Sequence, residues 1–375
     1  MREPTVQRYS YIDALRGYAI LLVIFVHSSQ AIGSLQPYVY QIGSQGARGV
    51  ELFFVASAIT LCMSWHRRHD GVGPFYVRRL FRIAPMFWLA ILYFTLVDGL
   101  GPRGLEPDGI GATHIALTAL FAHGFLPSTF SSVVPGGWSI AVEMMFYAVF
   151  PILISKINSW RTAATAAAIA LVPAAFAYAS IQSAAKHVEP HSWSVVYQVF
   201  STLNFVHELP VFLIGMAAYF IIRDEEYEVA RRPVQVAFIS LMPVVLVLEG
   251  YYRFGIGWAE FGFHSSYAVA FAGIAITLAR TSQTMFINPY IIWIGKISFS
   301  GYLWHLALFH IVPANFSKLS PMANLIWFYL ALTALTIAAS SVTYVVVEKP
   351  FIAFGNRILN RVRAGELAQQ SAAAV

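Results

Sequence analysis

Imidazole and carboxylate groups stand inside long apolar runs of this chain: His27, Glu143, His207, Glu208, His305 and His310. Guanidinium groups gather instead near the ends of such runs, with Arg16 in the first and Arg78, Arg79 and Arg82 at the head of the third. An ionisable group at the centre of a membrane helix costs roughly 2.5–3.5 kcal/mol on insertion scales, so each is a functional candidate. A neutral imidazole can act as a general base or carry a transferred group. Clustered arginines bind anions through paired hydrogen bonds. The combination points to an anion held at one end of a membrane bundle and proton or group transfer deeper inside.

The elements that must carry these groups follow from composition. Of 375 residues, 58% are hydrophobic and only 11% charged, with a mean hydropathy of +0.63. Soluble domains average about 25% charged residues, so the chain has too little polar surface for water. A cytosolic enzyme, a disordered chain and a nucleic-acid binder are excluded as first readings. Lone Cys62 excludes a disulfide framework and a thiolate metal site. The N-terminal stretch lacks a signal-peptide cleavage pattern, so its apolar run is expected to stay as a helix.

A spanning helix needs about 20 mostly apolar residues. Ten runs meet that length, near 10–32, 49–66, 80–98, 138–156, 162–182, 199–222, 234–251, 263–280, 291–312 and 323–347. The stretch 112–126 is short and His-bearing, and reads as a re-entrant or interfacial helix. With the N-terminus in the cytoplasm, eighteen Lys and Arg residues fall on that side, including Arg2, Arg8, Arg67, Arg231 and Arg232. Five fall opposite: Arg48, Arg103, Lys186, Arg253 and Lys318. The positive-inside rule thus predicts an all-α polytopic membrane bundle of about ten helices, with both termini cytoplasmic. His27 follows Arg16 by eleven residues, about 16 Å along a helix axis, which places it in the outer half. Glu143 is expected at similar depth.

Each group also has a packing role open to it. A lone His can be a hydrogen-bonded core residue, the arginines can be snorkelling flankers, and Glu143 can pair with Arg or Trp. Trp65, Trp88, Trp138 and Trp258 read as interfacial anchors. Neither a Walker loop nor a Rossmann glycine pattern is present, and GWSIA at 137–141 is not a nucleophile elbow. The histidines lack His-Glu-x-x-His spacing, so no metal ion is expected.

Seven ordered blocks resemble the acyltransferase-3 family of integral membrane O-acyltransferases. They begin with Arg16 and His27 in an Arg–x10–His arrangement within RYSYIDALRGYAILLVIFVHSS. GVELFFVASAITL follows from Gly49, then FYVRRLFRIAP with Arg78, Arg79, Arg82 and Pro85. WSIAVEMMFYAVFP places Trp138, Ser139 and Glu143; HELPVFLIGMAAY, ISFSGYLWH (with His305) and VVEKPF (with Glu348) complete the series. Ala58 stands where the family usually has Gly.

The resemblance implies transfer of an acyl group, acetyl above all, from cytosolic acyl-CoA to a hydroxyl of a glycan or lipid-linked sugar. Arg16, Arg78, Arg79 and Arg82 would hold the phosphate-rich coenzyme A thioester. The Arg–x10–His rise is comparable with the pantetheine arm, which would bring the thioester to His27 as general base or acyl relay. Glu143 would orient or charge-stabilise that imidazole; Trp138, Ser139 and His305 are further substrate-side candidates. The resemblance places the enzyme in a bacterial inner membrane. Many relatives carry a fused hydrolase-like domain, whereas only a short cytoplasmic tail, 351–375, is expected after the membrane domain 1–350. The competing reading is a proton-coupled transporter, since ten helices with buried His and Glu suit one as well. The absence of an inverted repeat or paired broken helices weighs against it in the sequence. A non-catalytic scaffold fits poorly with so many buried ionisable groups.

Overall fold

The computed structural model describes residues 10–224, 233–254, 256–281, 285–313 and 319–373. Arg2, Arg8, Arg231, Arg232 and Lys318 lie outside them, as do the side chains of Arg253 and Trp258. Helices α1 (Ser10–Ala31), α2 (Pro37–Ser44), α3 (Gly49–Arg68) and α4 (Val72–Val97) open the bundle. After α5 (Ala112–Ala119) come α6 (Trp138–Lys156), α7 (Trp160–Ala185), α8 (His191–Thr202) and α9 (Phe205–Arg223). The second half holds α10 (Pro233–Ser240), α11 (Met242–Phe254), α12 (Ile256–Arg280), α13 (Pro289–Lys296), α14 (Ser298–Ala307), α15 (Pro321–Thr343) and α16 (Lys349–Ala373). The described residues form an all-α bundle without a strand, as expected.

Among the described residues, eight helical stretches are long and apolar enough to span a bilayer. The other two expected runs are broken. Run 234–251 divides into α10 and α11 at Leu241, two residues before Pro243, whose ring disfavours a continuous helix. Run 291–312 divides at Ile297 between α13 and α14. Hydropathy therefore hid two interruptions, and the bundle does contain broken helices, contrary to expectation. Stretch 112–126 does not span: α5 is one short helix, and Phe121 then adopts φ 59° before a single 3-10 turn at His123–Phe125.

Small residues let the helices that carry the site approach closely. A side chain at Gly17 would strike the Ile291 carbonyl, and one at Gly295 would strike the Asp13 carbonyl, so α1 and α13 meet backbone to backbone. Ala58 is fully buried and faces Gly215 on α9, so the glycine of that contact is supplied by the opposite helix. Phe212 stacks between Phe54 (4.6 Å) and Phe146 (4.1 Å), locking α3, α6 and α9 together. Trp65 and Trp138 pack on such rings, against Phe75 and Phe54 respectively, rather than standing free, whereas Trp88 is exposed. The segment expected as a tail begins as α16, whose Phe354 meets Phe81 of α4 at 5.5 Å.

Candidate functional site

Five helices converge on a narrow cavity of about 60 Å³ lined by Arg16, Arg82, Ser57, Glu143, Tyr147 and Tyr302. A water needs about 10–15 Å³ on this measure, so the space admits a few waters or a slender arm but not a nucleotide. Arg16 reaches from α1 to α3, where its Nη2 donates to Thr60 Oγ1 at 3.1 Å, with Asp13 4.0 Å away. Ser139, Glu143 and Tyr147 fall at steps of four on α6 and share one face of that helix. Both the Ser57 Oγ (2.6 Å) and the Tyr147 hydroxyl (2.5 Å) donate to Glu143 Oε1, fixing the carboxylate at the cavity wall.

A second pocket of about 200 Å³ lies next to it, lined by Arg16, Arg67 and Arg79 together with Asp13, Thr60 and Ser64. Arg16 thus borders both spaces. Arg79 spreads over the rings of Phe75 (5.6 Å) and Tyr147 (5.7 Å), a stacking that suits a planar guanidinium. Arg67 was read from the sequence only as a topology residue; its place three residues before Asp70 gave no sign of the pocket. Arg78 is turned elsewhere. Its two terminal nitrogens grip Asp70 at 2.6 and 2.7 Å, and those hydrogen bonds hold the Asp70 carboxyl below its usual range.

His27 occupies a different place. Its ring lies 5.2 Å from that of His305, which is fully buried and 5.6 Å from Tyr302. His27 Nδ1 meets Gln30 Oε1 at 2.9 Å. With that oxygen accepting, Nδ1 carries the proton and Nε2 keeps its lone pair. The expected pairing of Glu143 with His27 is therefore not formed: Glu143 is held by Ser57 and Tyr147, and Gln30 orients the imidazole instead. An i,i+3 relation between a His and a Gln is visible in sequence but too common to single out.

Tyr302 borders both regions. Its ring lies 6.1 Å from that of Phe53 at the cavity and 5.6 Å from that of His305. Its hydroxyl donates to the Gly136 carbonyl at 2.9 Å and accepts from Ser139 Oγ at 2.8 Å. Gly136 has φ +75°, and a side chain there would crowd the Tyr302 hydroxyl, so glycine is needed. The break at Ile297 brings Ser298, Phe299 and Tyr302 to the cavity. Glu348 holds that break: the Ser300 amide (3.1 Å) and its hydroxyl both donate to Glu348 Oε1. Trp138 faces Phe54 at 6.2 Å and is part of the packing around the cavity.

A bundle of apolar helices around cationic pockets and a pair of imidazoles defines an integral membrane protein with buried polar groups in its interior. The chain belongs to the acyltransferase family, whose acyltransferase domain profile matches residues 9–345. It is 34% identical over 122 residues to the exopolysaccharide production protein ExoZ of Rhizobium meliloti, covering 31% of this chain and 37% of that one. It is 30% identical over 190 residues to the acyltransferase MdmB of Streptomyces mycarofaciens, covering 45% and 47%. Over 388 aligned residues it is 22% identical to a protein of Staphylococcus aureus named as an O-acetyltransferase, covering 93% and 58%. The chain thus spans roughly half the length of these relatives, and no solved structure matches it.

Proposed function

We propose that the protein moves an acetyl or larger acyl group from cytosolic acyl-CoA to a hydroxyl of a glycan or lipid-linked sugar, in a bacterial inner membrane. The observation that carries this reading is a chain of neighbours: Arg16 borders both the Arg67 and Arg79 pocket and the narrow cavity, and Tyr302 of that cavity meets His305, the ring partner of His27. Phosphate groups suit the arginine pocket, and the slender cavity suits the arm that ends in the thioester. The acceptor hydroxyl attacks the thioester carbonyl, and His27 Nε2 takes its proton. As the carbon–oxygen bond forms, the carbon–sulfur bond breaks, and the proton passes to the departing thiolate. Gln30 keeps the imidazole in the tautomer this step requires. The relay alternative, in which Nε2 itself is acylated first, uses the same tautomer.

Transport is the weaker reading. The family matched over residues 9–345 is one of acyltransferases, which favours group transfer over translocation. Label transfer from radiolabelled acetyl-CoA by the purified full chain in detergent tests the proposal, with surface glycans of the host as acceptors. His27→Ala is expected to lower transfer by about 10²–10⁴-fold, the usual weight of a general base. Undiminished transfer by a correctly folded His27→Ala variant would overturn the role of this residue. Label retained entirely as acetyl-CoA by the wild type would overturn the activity.

A further inference from the structure

Outside this site, three helices bring a second set of ionisable side chains together. His207 and Glu208 come from the first turn of α9, His264 from α12 and Glu51 from the first turn of α3, and all four are buried. His264 Nδ1 lies 2.6 Å from Glu208 Oε1 and 3.0 Å from Glu51 Oε1. The rings of His207 and His264 are perpendicular at 4.7 Å. Arg48 Nη1 binds Glu51 Oε1 at 2.6 Å.

Polar atoms are left over. Glu51 Oε2, Glu208 Oε2 and both ring nitrogens of His207 are buried without a hydrogen-bond partner among the described residues. Ligand atoms of His207, Glu208 and His264 lie within 4.8 Å of one another. Tetrahedral bonds of about 2.1 Å would set ligand atoms about 3.4 Å apart, inside the present spread. The two carboxylates carry two negative charges and Arg48 offsets one, leaving a site that is short of positive charge when both imidazoles are neutral. Imidazole nitrogens with carboxylate oxygens, and no thiolate, select a borderline divalent ion of the zinc type.

We propose that His207, Glu208, His264 and Glu51 form a structural divalent-metal site, with Arg48 as the outer partner that orients Glu51. The ion would tie α3, α9 and α12 together. The ligands come from distant parts of the chain, which is why no spacing motif discloses them.

The test uses the full chain in detergent, stripped with EDTA, reloaded with Zn²⁺ alone and desalted. About one zinc per chain is expected by mass spectrometry of the metal, falling to background in His207→Ala/His264→Ala. Arg48→Gln, which leaves all four ligands in place, is expected to weaken zinc binding about tenfold in a chelator competition. Zinc should also raise the melting temperature of the wild type but not of the double variant. A wild type at background, or a double variant that keeps the full zinc content, overturns the proposal. Gel filtration separates loss of metal from loss of fold: a monodisperse double variant without zinc supports the site. If the double variant is not monodisperse, the Arg48→Gln affinity decides, and an unchanged affinity overturns the proposal.

Discussion

At the cavity, Arg16 and Glu143 are set by contacts from α1, α3 and α6, and the carboxylate accepts two short hydrogen bonds. His27 is held by one hydrogen bond to the exposed Gln30 and by ring contact with the buried His305. A region that binds a charged donor gains from rigid, preorganised donors. One that moves a proton needs a lone pair left free, and a second firm bond to His27 Nε2 would remove it. In the proposed reaction this contrast separates donor binding from proton transfer, with Tyr302 in contact with both regions.

Three perturbations sharpen that contrast, beyond the loss of transfer expected for His27→Ala. Arg16→Ala should have the largest effect on donor affinity, because Arg16 borders both pockets. A charge-assisted hydrogen bond is worth about 1.5–3 kcal/mol, so acetyl-CoA binding measured by calorimetry should weaken about tenfold to a hundredfold. Arg78→Ala should change it less than about threefold, since Asp70 already holds that guanidinium and a partly exposed ion pair contributes little. Equal losses in the two variants would erase the distinction between the arginines.

Tyr302→Phe removes a hydroxyl that bridges Gly136 and Ser139, a contribution of about 1 kcal/mol. Hydrolysis of acetyl-CoA without acceptor should rise about fivefold while donor affinity holds, as the contact between cavity and imidazoles loosens. An unchanged hydrolysis rate would make Tyr302 a packing residue only.

The smallest effect belongs to the connection 98–111. Burial pushes the Glu106 carboxyl up to about 7, and the nearby Asp108 charge adds to the rise. The protonated form is favoured in the fold, so this stabilisation is complete below the ordinary 4.5 and is lost as pH rises through about 7. Hydrogen exchange, corrected for intrinsic rates, should show lower protection of 103–110 at about pH 8 than at about pH 5. Glu106→Gln should flatten that difference, and a persisting one would place its origin elsewhere.

Much of the architecture was legible in advance, because hydropathy over 20 residues is a one-dimensional signal. Eight of the ten expected runs match long apolar helices. The two that break do so for reasons outside hydropathy: Pro243 follows one break, and Glu348, 48 residues after Ser300, grips that serine beside the other. Arg16 and Arg79 were identifiable as cationic residues near the ends of apolar runs. Gln30, Arg67 and Tyr302 were not, since their roles depend on neighbours from other helices or on a common local pairing. The expectation that Glu143 serves His27 failed in geometry for a related reason. Estimated depth along a helix says nothing of azimuth: Glu143 is held by Ser57 and Tyr147 at the cavity, whereas His27 lies beside His305.

Composition and spacing by themselves determined that this chain is a membrane bundle and which polar groups it buries, because the bilayer penalises each such group wherever it falls. Only the tertiary structure decided which of those groups meet. It divided arginines of one motif between a pocket and an ion pair, and set Tyr302 in contact with both the cavity and His305. It also gathered His207, Glu208, His264 and Glu51 into one buried cluster. Pairing of this kind is fixed by helix rotation and close backbone approach at residues such as Gly17 and Gly295, and those are properties of contact between helices, not of any one of them.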